Sequence, residues 1–231
     1  MSVLRLGRQA VQNNFVFTYQ PPNMNALIII DIQNDFLPGG VLAVPAGDKI
    51  VPVVNEMQYY FELVVVTQDW HPQNHKSFAS NHKGKKLFEV IELNGLQQTL
   101  WPNHCVQGTY GADFPKTFNT NKAEAIFRKG TDAKIDSYSG FYDNGHRKST
   151  CLAEYLRGKK VTHVYITGLC ADICVFYTAM DSLNEGFETF IIEDGTCPLK
   201  QDDYIKTMKE FTAKGGKLIG SAQIMKTQLG Q

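Results

Sequence analysis

Polar residues close several of the apolar runs in this chain. "ALIIID" ends on Asp31, "LVVVTQD" on Asp69 and "AIFRKG" on Lys129 and Gly130, while "HVYITG" continues through "LCADIC" to Cys170 and Cys174. A carboxylate accepts protons, an ammonium group is a fixed positive charge, and a thiol becomes a strong nucleophile once it is deprotonated. A free thiol has a pKa of about 8.5, so at neutral pH only a few per cent is thiolate. Cys174 falls in the first turn of a helix expected over 172–186, where unpaired N–H groups and the helix dipole favour the thiolate. Cys170 precedes that helix and reads as a small buried hydrophobe. Three residues separate the two cysteines, where a thioredoxin-type pair has two, which argues against a dithiol redox motif.

A second chemistry is carried by "DWHPQNH". Asp69 and His71 are two residues apart, and on an extended segment such side chains point the same way. On spacing alone, the third ligand of a metal site is open among His75, His82 and the His104 of "WPNHC". A set of histidines and a carboxylate suits zinc, iron or manganese. His82, in "SNHKGKK", has the surroundings of a solvated loop residue, and Cys105 should point away if its neighbour His104 faces the site. Each residue has a plainer reading: a capping Asp, a surface Lys, a packed Cys. Their joint placement at successive strand ends is what favours chemistry.

The elements that must position them follow from the hydrophobic pattern. Strands are expected at 26–31, 63–69, 125–130, 163–168, 188–194 and 217–221, and helices near 47–61, 149–157, 172–186 and 202–214. Several strands are continuous Val/Ile/Leu runs, which suits strands covered on both faces. The expected fold is α/β, a doubly wound, mainly parallel six-stranded sheet flanked by helices. Such sheets bind ligands beyond the carboxyl ends of their strands, where the polar residues above collect. The stretch 70–124 shows few strand signals and many Gly, Pro, His and Asn residues; an excursion of that length is more often functional than idle.

Composition excludes some classes. Lys plus Arg and Asp plus Glu are both 23, with no basic stripe, so nucleic acid and anionic membranes are not expected as partners. The longest apolar runs are too short to span a bilayer. Five cysteines, an odd number thinly spread, favour a reducing, cytoplasmic setting over a disulfide framework. Residues 1–24 carry Arg5 and Arg8, no acid and a Pro-Pro stop; they read as an N-terminal arm or upstream extension, a composition that a cleaved transit peptide shares. Residues 25–231 read as a single domain, and its assembly into a homo-oligomer is left open.

The blocks "ALIIIDIQNDFLPGGVLAVPAGDKIV", "VVVTQDWHPQNHKSFAS", "LWPNHCVQGTYGADF", "IFRKGTD" with "YSGFYD", and "YITGLCADICVFYTAMDSLNEGF" occur in an order that resembles the nicotinamidases, within the isochorismatase-like cysteine hydrolases. The resemblance implies an amidohydrolase that converts nicotinamide to nicotinic acid and ammonia through a cysteine thioester, with pyrazinamide as a further substrate. It implies a catalytic triad of Asp31, Lys129 and Cys174, and metal ligands Asp69, His71 and His104 around one divalent ion, zinc first and iron or manganese next. It places a cis bond between Leu169 and Cys170, an oxyanion hole at the N–H groups of Cys170 and Cys174, and a substrate pocket at Phe36, Trp101 and Tyr138. Ser77 stands where some members carry a further metal-associated histidine, so water is expected there; His75 has no ligand counterpart. A sister amidohydrolase would not need the metal set, an isochorismatase-type lyase would not rely on the cysteine, and a binding module would more often show a broken triad.

Overall fold

Two strands of this chain carry apolar runs that face both ways, and the architecture follows from covering them. A computed structural model describes residues 24–229. Strands β1 (Met24–Ile30) and β2 (Leu63–Asp69) lie inside a six-stranded sheet with β5 (Ala123–Lys129), β6 (Val161–Leu169), β7 (Glu188–Cys197) and β8 (Lys217–Ile219). Every pairing in it is parallel, in the order β5-β2-β1-β6-β7-β8. The strand order reverses between β1 and β6, with later strands added outward on either side, and doubly wound folds hold ligands in the crevice at such a point.

Side-chain alternation sorts β1 between two cores. Ile28 and Ile30 join one cluster with Leu156 of α2 (Leu152–Gly158), Ala179 of α3 (Phe176–Asn184) and Phe211 of α4 (Gln201–Ala213). Leu27 and Ile29 join the other with Val54 of α1 (Val51–Met57) and Ile224 of α5 (Ser221–Leu229). With period 2 in the strand, one residue in each pair faces each helical layer. The edge strand β5 alternates half-buried and exposed positions instead, with only Lys129 at its end buried, and Ile126 is exposed.

All six expected strands form, with shifted ends. The residues expected as an arm lie outside the described residues, except Met24, which opens β1. The helix expected over 47–61 is a short α1 flanked by 3-10 turns at Gly47–Ile50 and Gln58–Tyr60. The helix expected over 172–186 divides into a wide π-type turn, Ala171–Val175, and α3, so Cys174 lies before the α-helix proper. The long excursion contains an antiparallel hairpin, β3 (Val90–Leu93) and β4 (Leu96–Thr99). Its turn, Asn94-Gly95, has φ of 51° and 78°, the left-handed pair that a two-residue hairpin needs. Among the described residues no helix is long and apolar enough to cross a membrane.

Candidate active site and metal centre

Asp31 is the first residue beyond β1 and has φ of 46°, a left-handed conformation that Asp tolerates better than most residues. It is fully buried. Its Oδ1 accepts a hydrogen bond from Thr67 Oγ1 at 2.7 Å. Its Oδ2 lies 2.9 Å from Lys129 Nζ. The ammonium group has three hydrogens and four neighbours to share them. Lys129 donates to Asp69 Oδ1 at 2.7 Å, to the Ser137 carbonyl at 2.9 Å and towards Cys174 Sγ at 3.6 Å. Asp31 Oδ2 is the fourth of these neighbours, paired with the lysine's charge.

Electrostatics here are set by burial opposed by one cation. Burial raises the Asp31 pKa, and Lys129 and Thr67 only partly offset it, so its carboxylate is a better base than usual. Burial would lower the Lys129 pKa, but Asp31 and Asp69 outweigh it and keep the ammonium charged. Burial would raise the Asp69 pKa, but Lys129 and His71 hold it well below the ordinary range. Burial pushes the Cys174 thiol well up, against the pull of Lys129. The nearest stabilising charge for a thiolate at Cys174 is Lys129, 3.6 Å from the sulfur.

Beside this cluster, Asp69 Oδ2 lies 3.1 Å from His71 Nε2 and 3.5 Å from His104 Nε2. The Nδ1 atoms of both rings are held by carbonyl oxygens, His71 by Gly130 at 2.9 Å and His104 by Pro102 at 2.8 Å. A carbonyl only accepts, so each Nδ1 carries the hydrogen and each neutral ring presents its Nε2 lone pair. His71 Nε2 is buried with no hydrogen-bond partner. Two imidazole nitrogens converging on one carboxylate oxygen, all within 4.8 Å, fit a divalent cation. Without one, burial lowers the His71 pKa but Asp69 more than compensates, raising it to about 9.

His71, His75 and Asp136 form a second group with ligand atoms as close together. Hydrogen bonding argues against it. His75 Nδ1 accepts from Ser77 N at 3.2 Å, which puts the ring hydrogen on Nε2, 3.3 Å from the Ile135 carbonyl. His71 has one free lone pair, so it serves one ion at a time. His82 makes a loop contact to the Lys76 carbonyl. Cys105 has φ of 45° and turns into the core around α1, away from its neighbour His104.

Above these groups opens a narrow cleft. Cys174, Asp69 and His104 reach it, and Phe36, Trp101 and Tyr138 wall it. Lys129, Asp31 and His71 lie beneath its floor, at most 2% exposed. Trp101 Nε1 donates to Tyr138 Oη at 3.2 Å, and Gln98 Nε2 approaches the same oxygen at 3.3 Å and Asp136 Oδ2 at 3.1 Å. The Leu169–Cys170 bond is cis.

Sequence reading missed several supporting residues. Thr67 carries a signal, because it is polar inside an apolar strand and two residues from Asp69, hence on the same face. Gln33 holds the Asp69 peptide groups through Oε1 and Nε2, both at 2.8 Å, and offers no comparable pattern. Gln98 sits on the hairpin that was not anticipated.

Comparison with known proteins agrees with the geometry. Residues 25–223 match the Isochorismatase domain. The chain is 42% identical over 204 residues to the nicotinamidase of Acinetobacter baylyi, covering 88% of this chain and 95% of that protein. A solved Acinetobacter baumanii nicotinamidase and pyrazinamidase superposes with a TM-score of 0.86 at 43% identity, over 89% of this chain and all of that one (100%). The Pyrococcus horikoshii pyrazinamidase in complex with zinc has a TM-score of 0.71 at 38% identity, over 85% and 98% of the two chains. The matched domain, the extent of these identities and the shared fold mean that the chain belongs to the isochorismatase family and, within it, to the nicotinamidases.

Proposed function

We propose that this chain hydrolyses nicotinamide to nicotinic acid and ammonia, with Asp31, Lys129 and Cys174 as the catalytic groups. The observation that carries the reading is the position of Lys129. One buried ammonium joins the carboxylate and sulfur of a nucleophilic pair to Asp69, the acid of the metal cluster, beneath an aromatic slot.

In this reading the flat ring lies between Phe36, Trp101 and Tyr138. Asp31, whose basicity is raised by burial, takes the Cys174 proton, and Lys129 stabilises the thiolate that results. The sulfur attacks the amide carbon. The N–H groups of Cys170 and Cys174 receive the oxyanion, each such donor contributing about 100- to 1,000-fold in rate. Asp31 returns the proton to the departing ammonia, and water entering the cleft cleaves the thioester. Asp69, His71 and His104 would hold the divalent ion, zinc first, which supplies a Lewis acid and an anchor for the ring nitrogen. Support for zinc is the donor set together with the zinc-containing Pyrococcus relative. Pyrazinamide keeps that ring nitrogen and fits the same slot. A cytoplasmic setting is part of the proposal, supported by five unpaired cysteines.

The test is ammonia release from nicotinamide by the metal-loaded protein. Cys174→Ala should lose about 1,000-fold or more. Benzamide, which lacks the ring nitrogen, should be a poor substrate. Equal turnover of the two amides, or an active Cys174→Ala variant, would overturn the assignment.

A further inference from the structure

The two cysteines of the cleft have unequal surroundings. Both line it, both are buried and both are free thiols. Cys174 has the Lys129 charge 3.6 Å from its sulfur. The Cys170 thiol is pushed up by burial and by the nearby Asp172 carboxylate, with no cation opposing them. Cys174 is the sulfur with a cation beside it to stabilise a thiolate when one forms.

The chain between them is a closed turn. The Cys170 carbonyl accepts hydrogen bonds from both Ile173 N, at 3.2 Å, and Val175 N, at 3.1 Å. Cys170 is extended and caps the single wide turn Ala171–Val175 that carries Cys174, so one turn separates two thiols that line the same cleft. Asp172, within the turn, is held by Leu199 N at 2.8 Å and Lys200 N at 2.9 Å, which fixes its carboxylate beside Cys170. The remaining cysteines, Cys105, Cys151 and Cys197, do not line the cleft.

We propose that Cys170 is a resolving thiol, which converts peroxide damage at Cys174 into a reversible disulfide. The oxidant is a hydroperoxide. The Cys174 thiolate attacks its terminal oxygen, the O–O bond breaks, and the departing alkoxide or hydroxide takes up a proton. Cys174 becomes a sulfenic acid, oxidised by two electrons. The Cys170 sulfur then attacks the Cys174 sulfur, the S–O bond breaks, the Cys170 proton leaves with the hydroxyl group as water, and an S–S bond forms. A dithiol reductant returns both thiols by exchange. Without a partner, the sulfenic acid proceeds to sulfinic acid, which such reductants do not reverse.

The experiment treats the metal-loaded full chain with hydrogen peroxide, alkylates the remaining thiols and maps the peptides by mass. Wild type should give a peptide spanning both cysteines that has lost two hydrogens and takes no alkyl group. A dithiol should restore its thiols and most of its activity. Cys170→Ala should accumulate about tenfold more sulfinic or sulfonic acid at Cys174, with no recovery. Wild type carrying sulfinic acid at Cys174 beside an alkylated Cys170 would overturn the proposal. So would linkage of Cys174 to Cys105, Cys151 or Cys197. The inference uses Cys174 as a reactive thiol and does not depend on the substrate. A chain that forms the disulfide but releases no ammonia from nicotinamide would refute the proposed function and leave this inference standing.

Discussion

At the scale of single residues, the site is governed by how few hydrogens serve its oxygens. Thr67 is the one hydroxyl that donates to Asp31. Thr67→Val removes that bond while keeping the shape, so the Asp31 pKa, already raised by burial, rises further. Asp31 must be ionised to take the thiol proton, so the acid limb of the kcat/KM profile should move to higher pH. On that limb the variant should lose about tenfold in rate. A pH–rate series on nicotinamide checks this; an unmoved acid limb would remove Asp31 from the role of base. Asp31, Asp69 and Lys129 were legible because each ends an apolar run, and Cys174 because it follows one. Gln33 and Asp136 were not, since a buried amide or acid in a loop declares its partner only after the chain has folded.

At the scale of elements, strand ends are where geometry is tightest. Gly130 follows β5 with φ of 65°, and a Cβ placed there would lie 2.3 Å from His71 Cε1. Gly130→Ala therefore has to move the imidazole ring or the carbonyl that orients it. We expect metal affinity to fall by about 10- to 100-fold, as for other losses of ligand orientation. Competitive chelator titration measures this, and wild-type affinity would show that the ring has room. The six strands were legible from their apolar runs, whereas the β3–β4 hairpin was not. Its strands are four residues each, with Glu and Gln on their exposed positions, and only the Asn94-Gly95 turn announces it. The helix before α3 was overextended for a different reason: apolar spacing does not separate a π-type turn from an α-helical one.

At the scale of the whole molecule, the parallel sheet brings segments from distant parts of the chain to one rim, and charge there is linked to global stability. In the metal-free protein the His71 pKa is raised from 6.5 to about 9. A raised pKa stabilises the folded state fully below the unfolded value, and the contribution is lost as pH rises through the folded one. Metal-free protein should therefore lose stability between pH 6.5 and about 9. The metal-loaded protein should not show this loss, because the ion takes the proton's place. Paired thermal unfolding series over that range test it; parallel curves would exclude the linkage. The sheet and its helical layers were readable from periodicity, because burial on both faces leaves its mark along the chain. The placement of Lys129 between two clusters was not, since sequence spacing carries no information about which carboxylates a lysine will meet.

The same lysine makes the sulfur a reporter of the metal. Asp69 pulls on the ammonium with its full charge when it holds no cation and with less when it does. Filling the cage should therefore strengthen the positive potential that Lys129 offers to Cys174 and speed its capture by iodoacetamide severalfold. Titrating metal into stripped protein while timing alkylation of that one cysteine would read occupancy at a distance, before any amide is added.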